Sequence, residues 1–333
     1  MLEVENLEKH YSVGTGLAAL VSSANKTKIR AVDGINLKLN AGEVLGIVGE
    51  SGCGKSSLMR TLCGLEPPTS GLIALDGQDT QSLIKNDRRA FHKNVQMIFQ
   101  DPYGSLNPQH NIGEIIKRPL IYQKLALSNV DIQDRIHDAL EMADLTPVEN
   151  FIKKFPHQLS GGQRQRVCIA RAMVLRPRLL IADEPISMLD VSIKWSIIRL
   201  LKSLVKSQNL AMIYVTHDLA SVGSICDRLA IMYLGQFVET GLTQSVLQSA
   251  QHPYTKALLA STPSIDPDVK RKAARILGGI PDAINIPKGC RFHPRCPDRL
   301  DICQVQTPPS HIKIGHDVQC HLPIFENYGR SNS

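Results

Sequence analysis

Val44-Leu45-Gly46-Ile47-Val48-Gly49-Glu50-Ser51-Gly52-Cys53-Gly54-Lys55-Ser56 decides how the rest of the chain is read. A short apolar run, a glycine-rich loop and then Lys-Ser at the start of a helix make a strand, a phosphate cradle and a helix N-terminus. Gly49, Gly52 and Gly54 let the loop curl so that successive backbone N–H groups point inward. In such a loop Lys55 reaches the β and γ phosphates of a nucleoside triphosphate, and the Ser56 hydroxyl ligates Mg²⁺. Glu50, Ser51, Cys53 and Ser57 complete the stretch that wraps the nucleotide.

Further short motifs follow in order. Gln100 closes the apolar run Val95-Gln96-Met97-Ile98-Phe99, and Leu159-Ser160-Gly161-Gly162-Gln163 opens a helical stretch with Val167, Ala170 and Val174. Leu179-Leu180-Ile181-Ala182-Asp183-Glu184 ends an apolar run on two carboxylates, and His217 stands directly after Tyr214-Val215-Thr216. A carboxylate at a strand end is placed to hold magnesium, so Asp183 is a metal-ligand candidate; the Glu184 side chain points to the opposite face of the strand end. His217 is placed to meet the γ-phosphate, or to orient Glu184 or the attacking water.

Between these motifs the pattern alternates strand and helix. Leu2–Asn6 and Ile35–Leu39 alternate apolar and polar residues as half-buried strands do, and Ser12–Lys28 reads as a long loop. Val44–Val48, Val95–Phe99, Leu179–Ala182, Ala211–Val215 and Leu229–Met232 read as strands, and Gly71–Gly77 as a strand and turn. Ser56–Cys63 reads as a helix, as does about Gly113–Ala143, broken at Pro119 and by the polar Ser128-Asn129 start. The order implies an α/β fold with a parallel sheet covered by helices.

Taken together, the ordered motifs resemble the ATP-binding-cassette (ABC) ATPases over roughly the first 260 residues. That resemblance implies a RecA-like parallel core, an antiparallel β subdomain and an α-helical signature subdomain at about 101–165. It also implies that Glu184 polarises the attacking water as a general base, and that Gln100 touches the magnesium and that water and links the site to the segment that meets a membrane subunit. Ser160, Gly161, Gly162 and Gln163 would close on ATP held by a second subunit, with the two chains packed head to tail. Asp190, in Ser187-Met188-Leu189-Asp190, matches the loop that crosses that interface, with Met188 and Ile186 departing from the usual Ala and Thr. Tyr11 matches the family's adenine-stacking aromatic. Since each group that turnover needs is present, hydrolysis of ATP is expected rather than binding alone.

Three stretches narrow the branch. Asp101-Pro102-Tyr103-Gly104-Ser105-Leu106-Asn107-Pro108 and His252-Pro253-Tyr254-Thr255 are similar to the peptide and nickel importer ATPases. The tail Gly289-Cys290-Arg291-Phe292-His293-Pro294-Arg295-Cys296-Pro297 is similar to the C-terminal region of dipeptide and oligopeptide importer ATPases. The implied partners are a sister ATPase, two membrane permeases and an extracytoplasmic substrate-binding protein. The implied location is the cytoplasmic face of a bacterial inner membrane, and di- or oligopeptides are the implied cargo. Nickel, glutathione-like substrates and antimicrobial peptides stay open, as does a soluble ABC ATPase acting on nucleic acid or ribosomes.

Near Thr262-Pro263 helical periodicity fades, which divides the chain into an ATPase domain over 1–262 and a C-terminal extension over 263–333. Cys290, Cys296, Cys303 and Cys320 crowd into that extension, separated by five, six and sixteen residues. These gaps are wider than the usual zinc knuckle. A [4Fe–4S] cluster, toward which the resemblance also points, a zinc ion and plain reduced thiols are the alternatives. His293, His316 and His321 are substitute-ligand candidates.

Composition bounds the rest. The 333 residues carry a formal charge of +7, but Lys and Arg are spread thinly, with Lys270-Arg271-Lys272 the densest group. A solvated surface rather than a nucleic-acid footprint is expected. No apolar run approaches the ~18 residues of a membrane span, and Met1-Leu2-Glu3-Val4-Glu5 is not a secretion signal.

Overall fold

Leu2, Val4 and Leu7 face one side of β1 (Leu2–Ser12) and are buried, while Glu5 and Asn6 face outward. The computed structural model describes residues 1–12, 28–125, 127–261, 276, 278–279 and 283–325. The expected boundary at 262–263, the basic triplet 270–272 and residues 13–27 of the expected loop lie outside the described residues. β1 pairs antiparallel with β2 (Lys28–Leu39), so both strands run well past the short alternating runs legible in the sequence. Register shifts along β1, with Asn6 at φ 45, interrupt its alternation at that point.

β3 (Val44–Val48) is buried at every position and feeds the glycine loop and α1 (Lys55–Leu62). β4 (Ser70–Leu75) and β5 (Gln78–Asp79) return to the first strands in the order β2-β1-β4-β5. α2 (Thr80–Asn94) then leads to β6 (Val95–Ile98).

A helical layer follows: α3 (Pro102–Ser105), α4 (Ile112–Tyr122), α5 (Asn129–Met142), α6 (Glu149–Ile152) and α7 (Gly161–Met173). Its apolar cluster joins Ile112, Ile116, Leu120, Ile136 and Leu140 to Val167 and Ala170 of α7. The expected break at Pro119 is corrected here, because α4 runs through it to Tyr122. Proline forfeits one backbone hydrogen bond within the helix. Burial of Ile115, Ile116 and Leu120 on either side and the Asn111–Glu114 capping box outweigh that loss.

The remaining elements are β7 (Leu179–Asp183), α8 (Val191–Ser207), β8 (Ala211–Thr216), α9 (Leu219–Ile225), β9 (Arg228–Tyr233), β10 (Gln236–Leu242), α10 (Thr243–Gln248), α11 (Pro253–Ser261), β11 (Ser310–Lys313) and β12 (His316–Gln319). Among the described residues the second sheet has the order β11-β12-β10-β9-β3-β8-β7-β6. Its β9-β3-β8-β7-β6 portion is parallel, and its other end is antiparallel.

The tail does not pack apart from the rest. Cys290, Phe292, Cys296 and Cys303 share one apolar cluster with Tyr233, Tyr254 and the main-sheet residues. At the β10–β12 seam His316 Nε2 lies 2.7 Å from Glu239 Oε1, and both side chains are buried. Glu239 also accepts the N–H groups of Gln251 and His252. Burial, opposed in part by Glu239, pushes the His252 imidazole down from 6.5 to about 4.

The sign of the resulting pH dependence follows. Above about pH 6.5 His252 is neutral whether the chain is folded or not; below it the unfolded chain takes up a proton that the folded chain refuses. This residue therefore lowers folding stability by about 3 kcal/mol between pH 6.5 and pH 4. Urea melts should show that slope, and His252→Asn should flatten it; an unchanged slope would remove His252 as its source.

Candidate ATP site

The loop after β3 is shaped by contacts that leave no room for side chains. A Cβ on Gly49 would lie 2.3 Å from the Met232 carbonyl oxygen, and one on Gly54 only 2.0 Å from that of Ala31. The loop therefore wraps against β9 and β2 and ends at α1, whose N-cap is Gly54 at φ 108. Lys55 is buried, and its ammonium donates to the carbonyls of Gly49 at 2.6 Å and Glu50 at 2.8 Å. A cleft of about 720 Å³ opens over the loop, lined by Ser51–Ser57 together with Tyr11, Gln100, Asp183, Glu184 and His217.

Strand order brings the last four together. β6, β7 and β8 lie side by side and parallel, so their C-terminal ends deliver Gln100, Asp183-Glu184 and His217 to one edge of the cleft. Gln100 Nε2 donates to Glu184 Oε2 at 2.9 Å, and His217 Nδ1 lies 2.9 Å from Glu184 Oε1. Glu184 has the left-handed φ of 46, and its N–H is tied to the Val215 carbonyl at 2.9 Å. Both carboxylate oxygens are thus oriented by neighbours, as an aimed general base requires.

Burial first, then the adjacent Glu184, raises the Asp183 carboxyl above its ordinary value, with Lys55 and Arg60 opposing. Two neighbouring carboxylates at the end of a buried strand, lining the same cleft as Ser56, offer hard oxygen donors suited to Mg²⁺.

Tyr11 stands at the cleft wall, its hydroxyl donating to Glu66 at 2.5 Å and lying 3.3 Å from Ser57 Oγ. Desolvation first, then Glu66, raises its phenol, which therefore stays neutral.

A match to the family described as ABC transporter spans residues 32–187, and one to the C-terminal region of oligopeptide/dipeptide transporters spans 238–303. The chain is 42% identical over 322 residues to the oligopeptide transport ATP-binding protein OppF of Salmonella typhimurium, covering 96% of this chain and 95% of that one. It is an ATP-binding protein of the oligopeptide/dipeptide ABC transporter family. The di/tripeptide transport ATP-binding protein DppF of Pseudomonas aeruginosa is 39% identical over 321 residues, or 96% and 97% of the two chains. Among solved structures, a dimeric ATP-binding cassette in a post-hydrolysis state bound to ADP and Pi superposes with a TM-score of 0.62 at 30% identity. It covers 73% of this chain and 99% of its own. The chain is accordingly an ABC ATPase with the cassette fold.

Within this cassette the Leu159–Gln163 motif stands apart from the cleft, which none of residues 160–163 line. Ser160 caps α7, its hydroxyl accepting from Gln163 N–H at 3.3 Å while Gln163 Oε1 accepts from Ser160 N–H at 3.0 Å. A Cβ on Gly161 would meet Leu189, and one on Gly162 would lie 2.6 Å from Ile193, so the motif packs beside the segment that carries Asp190. Asp190 is exposed at the start of α8, next to the exposed Met188 and Val191.

Sequence reasoning missed three parts of the site. Ile29, Arg30 and Ala31 of β2 and Leu234-Gly235 after β9 line the cleft without any motif to announce them. The Glu50 carboxylate is turned away from the cleft and held by Arg295 of the tail. Beside the site, a groove of about 870 Å³ lined by Phe99, Asp101, Gly104, Asn107, His110 and Tyr122 flanks Gln100.

The four tail cysteines are all buried. Burial raises Cys290 and Cys296 to about 11, with the nearby thiols, Cys303 and Cys320 for the first and Cys320 and Cys290 for the second, adding to the rise. The N–H of Cys290 donates to the carbonyl of Cys303 at 2.8 Å. The substitute-ligand candidates are engaged elsewhere: His293 with the Cys290 carbonyl, His316 with Glu239 and His321 with the Gln306 carbonyl.

Proposed function

We propose that this chain is the ATP-hydrolysing motor of a membrane importer for di- or oligopeptides. The observation that carries the reading is the Gln100–Glu184–His217 constellation at a complete phosphate loop, in a chain whose relatives are named for peptide transport. Backbone N–H groups of 51–54 and the Lys55 ammonium bind the triphosphate, and Tyr11 stacks on adenine. Ser56, Asp183 and Gln100 hold Mg²⁺, which supplies charge neutralisation across the phosphates. Glu184 accepts the proton of the attacking water, while Gln100 and His217 fix the direction in which its oxygens point. Ser160–Gln163 of a second ATPase close on the γ-phosphate, and Asp190 crosses between the two. Their distance from this chain's own cleft supports completion of each site by a partner subunit.

The groove beside Gln100 is the docking place for a permease segment. Its occupant would touch Phe99 and Asp101, the immediate neighbours of a residue hydrogen-bonded to Glu184, which joins transport to hydrolysis. Among the described residues no helix is long and apolar enough to cross a membrane. In keeping with relatives named for peptide transport, the chain works at the cytoplasmic face through a sister ATPase and two permeases, with an extracytoplasmic binding protein supplying the peptide. Residues 1–262 act as the ATPase domain, with a helical subdomain at about 101–165, and 263–333 as an extension stitched to its sheet edge.

For the four cysteines we favour a [4Fe–4S] cluster over zinc. A tetrahedral zinc with Zn–S bonds of about 2.3 Å draws its thiolates to about 3.8 Å from one another. Among the described residues the one group of three or more candidate ligand atoms within 4.8 Å of one another is Glu8, His10 and Asp33, and it contains no cysteine. Four buried thiols that feel one another's charge at wider spacing suit a larger cluster. Anaerobic purification should yield about four iron and four sulfide per chain; zinc alone, or neither element, would reject the cluster.

Purification of the tagged chain from detergent-solubilised membranes tests the importer reading. A second ATPase and two multi-span permeases should copurify, and peptide uptake should fail in cells lacking the chain. Recovery of ribosomes or DNA-bound proteins instead would favour the soluble ABC alternative.

A further inference from the structure

We propose that Arg295, on the cysteine-bearing turn of the tail, is a positioning residue of the ATP site that acts through Glu50; this rests on reading the 49–56 loop as that site. The guanidinium grips the carboxylate at two points, Nη1 to Oε2 at 2.6 Å and Nη2 to Oε1 at 3.0 Å. The Arg295 side chain is only 6% exposed, and among the described residues Glu50 is its one carboxylate partner. A buried guanidinium held by a two-point fork fixes its partner's position as well as its own.

Residue 50 is fixed on every side. Its N–H donates to the Tyr254 hydroxyl at 3.0 Å, its carbonyl accepts from Lys55 Nζ at 2.8 Å, and its carboxylate sits on Arg295. The ammonium that meets the phosphates therefore rests on a backbone that the tail holds. Arg295 also neutralises an acidic side chain only one residue from the glycine nest, where an unpaired carboxylate would repel a polyphosphate.

A simple staple between tail and core is the competing explanation. The tail has other anchors that do not touch residue 50. Arg291 bonds Asp33 and the Leu234 carbonyl, His316 bonds Glu239, and β12 pairs with β10 at Glu239–Val318 and Thr240–Asp317. What Arg295 adds to these is control of Glu50.

The test is titration of the full chain with fluorescent mant-ATP and Mg²⁺, with a thermal melt for each variant. Arg295→Met should weaken binding about tenfold through the exposed Glu50 charge, and Arg295→Lys, which keeps the charge but not the fork, should fall between it and the parent. Adding Glu50→Gln to Arg295→Met should restore affinity to within about threefold of the parent, since the repulsive charge is then gone. In the assembled ATPase, Arg295→Met should raise KM for ATP while kcat stays within about twofold.

His316→Gln loosens the other end of the tail and should leave affinity unchanged. Unchanged binding in Arg295→Met, no rescue by Glu50→Gln, or an equal loss in His316→Gln would each overturn the proposal. Lys55→Ala separates it from the site reading: loss of binding there supports the loop as the ATP site, whereas normal binding would overturn that reading and this inference with it.

Discussion

Glu184→Gln should leave ATP bound and stop its turnover, with kcat falling by about 10²- to 10⁴-fold, the range of a lost general base. The replacement is nearly isosteric, so the contacts to Gln100 at 2.9 Å and His217 at 2.9 Å have partners in the variant, and the loop around Lys55 is untouched. What disappears is the capacity to take a proton from water at that point. Binding energy no longer spent through hydrolysis should hold two subunits closed around ATP. Phosphate release and gel filtration with ATP measure the two halves of this expectation. Turnover within about threefold of the parent would move the general base elsewhere.

Gly54→Ala should weaken ATP binding by more than about 100-fold, while Gly52→Ala should cost about fivefold. Both glycines have positive φ, 108 and 79, so each alanine strains its own backbone. Only at Gly54 would the new Cβ also meet backbone, 2.0 Å from the Ala31 carbonyl, whereas nothing lies within 4 Å of a Cβ on Gly52. A carbonyl in β2 cannot rotate aside as a side chain can, so the loop itself must shift and carry the Lys55 N-terminus of α1 with it. Nucleotide titration and thermal melts on both variants check the ordering. Equal losses would mean that backbone strain, not the approach to β2, governs this loop.

The motifs were legible in sequence because their chemistry is local. A glycine nest, a lysine at a helix start and carboxylates after an apolar strand keep their meaning wherever the strand lies in a sheet. α2 was not legible: of its residues only Thr80 and Phe91 are buried, so it offers no apolar stripe to read. Pro119 misled for the opposite reason, since a local rule about proline gave way to the burial of Ile116 and Leu120.

From sequence alone came the chemistry: the triphosphate loop, the identity of the magnesium and base candidates, and the branch implied by the segments after Gln100 and around Cys290. Tertiary structure decided which of these residues meet. Gln100, Glu184 and His217 converge because β6, β7 and β8 are neighbours, an order that no motif spells out. Ser160–Gln163 stay outside their own cleft because α7 packs them beside α8. Glu50 reads in sequence as one more loop residue, yet its carboxylate belongs to Arg295, 245 positions away. The physical reason is common to all three. Backbone conformation and side-chain chemistry are set by near neighbours in the chain, whereas contacts between distant segments are selected by how their apolar faces pack.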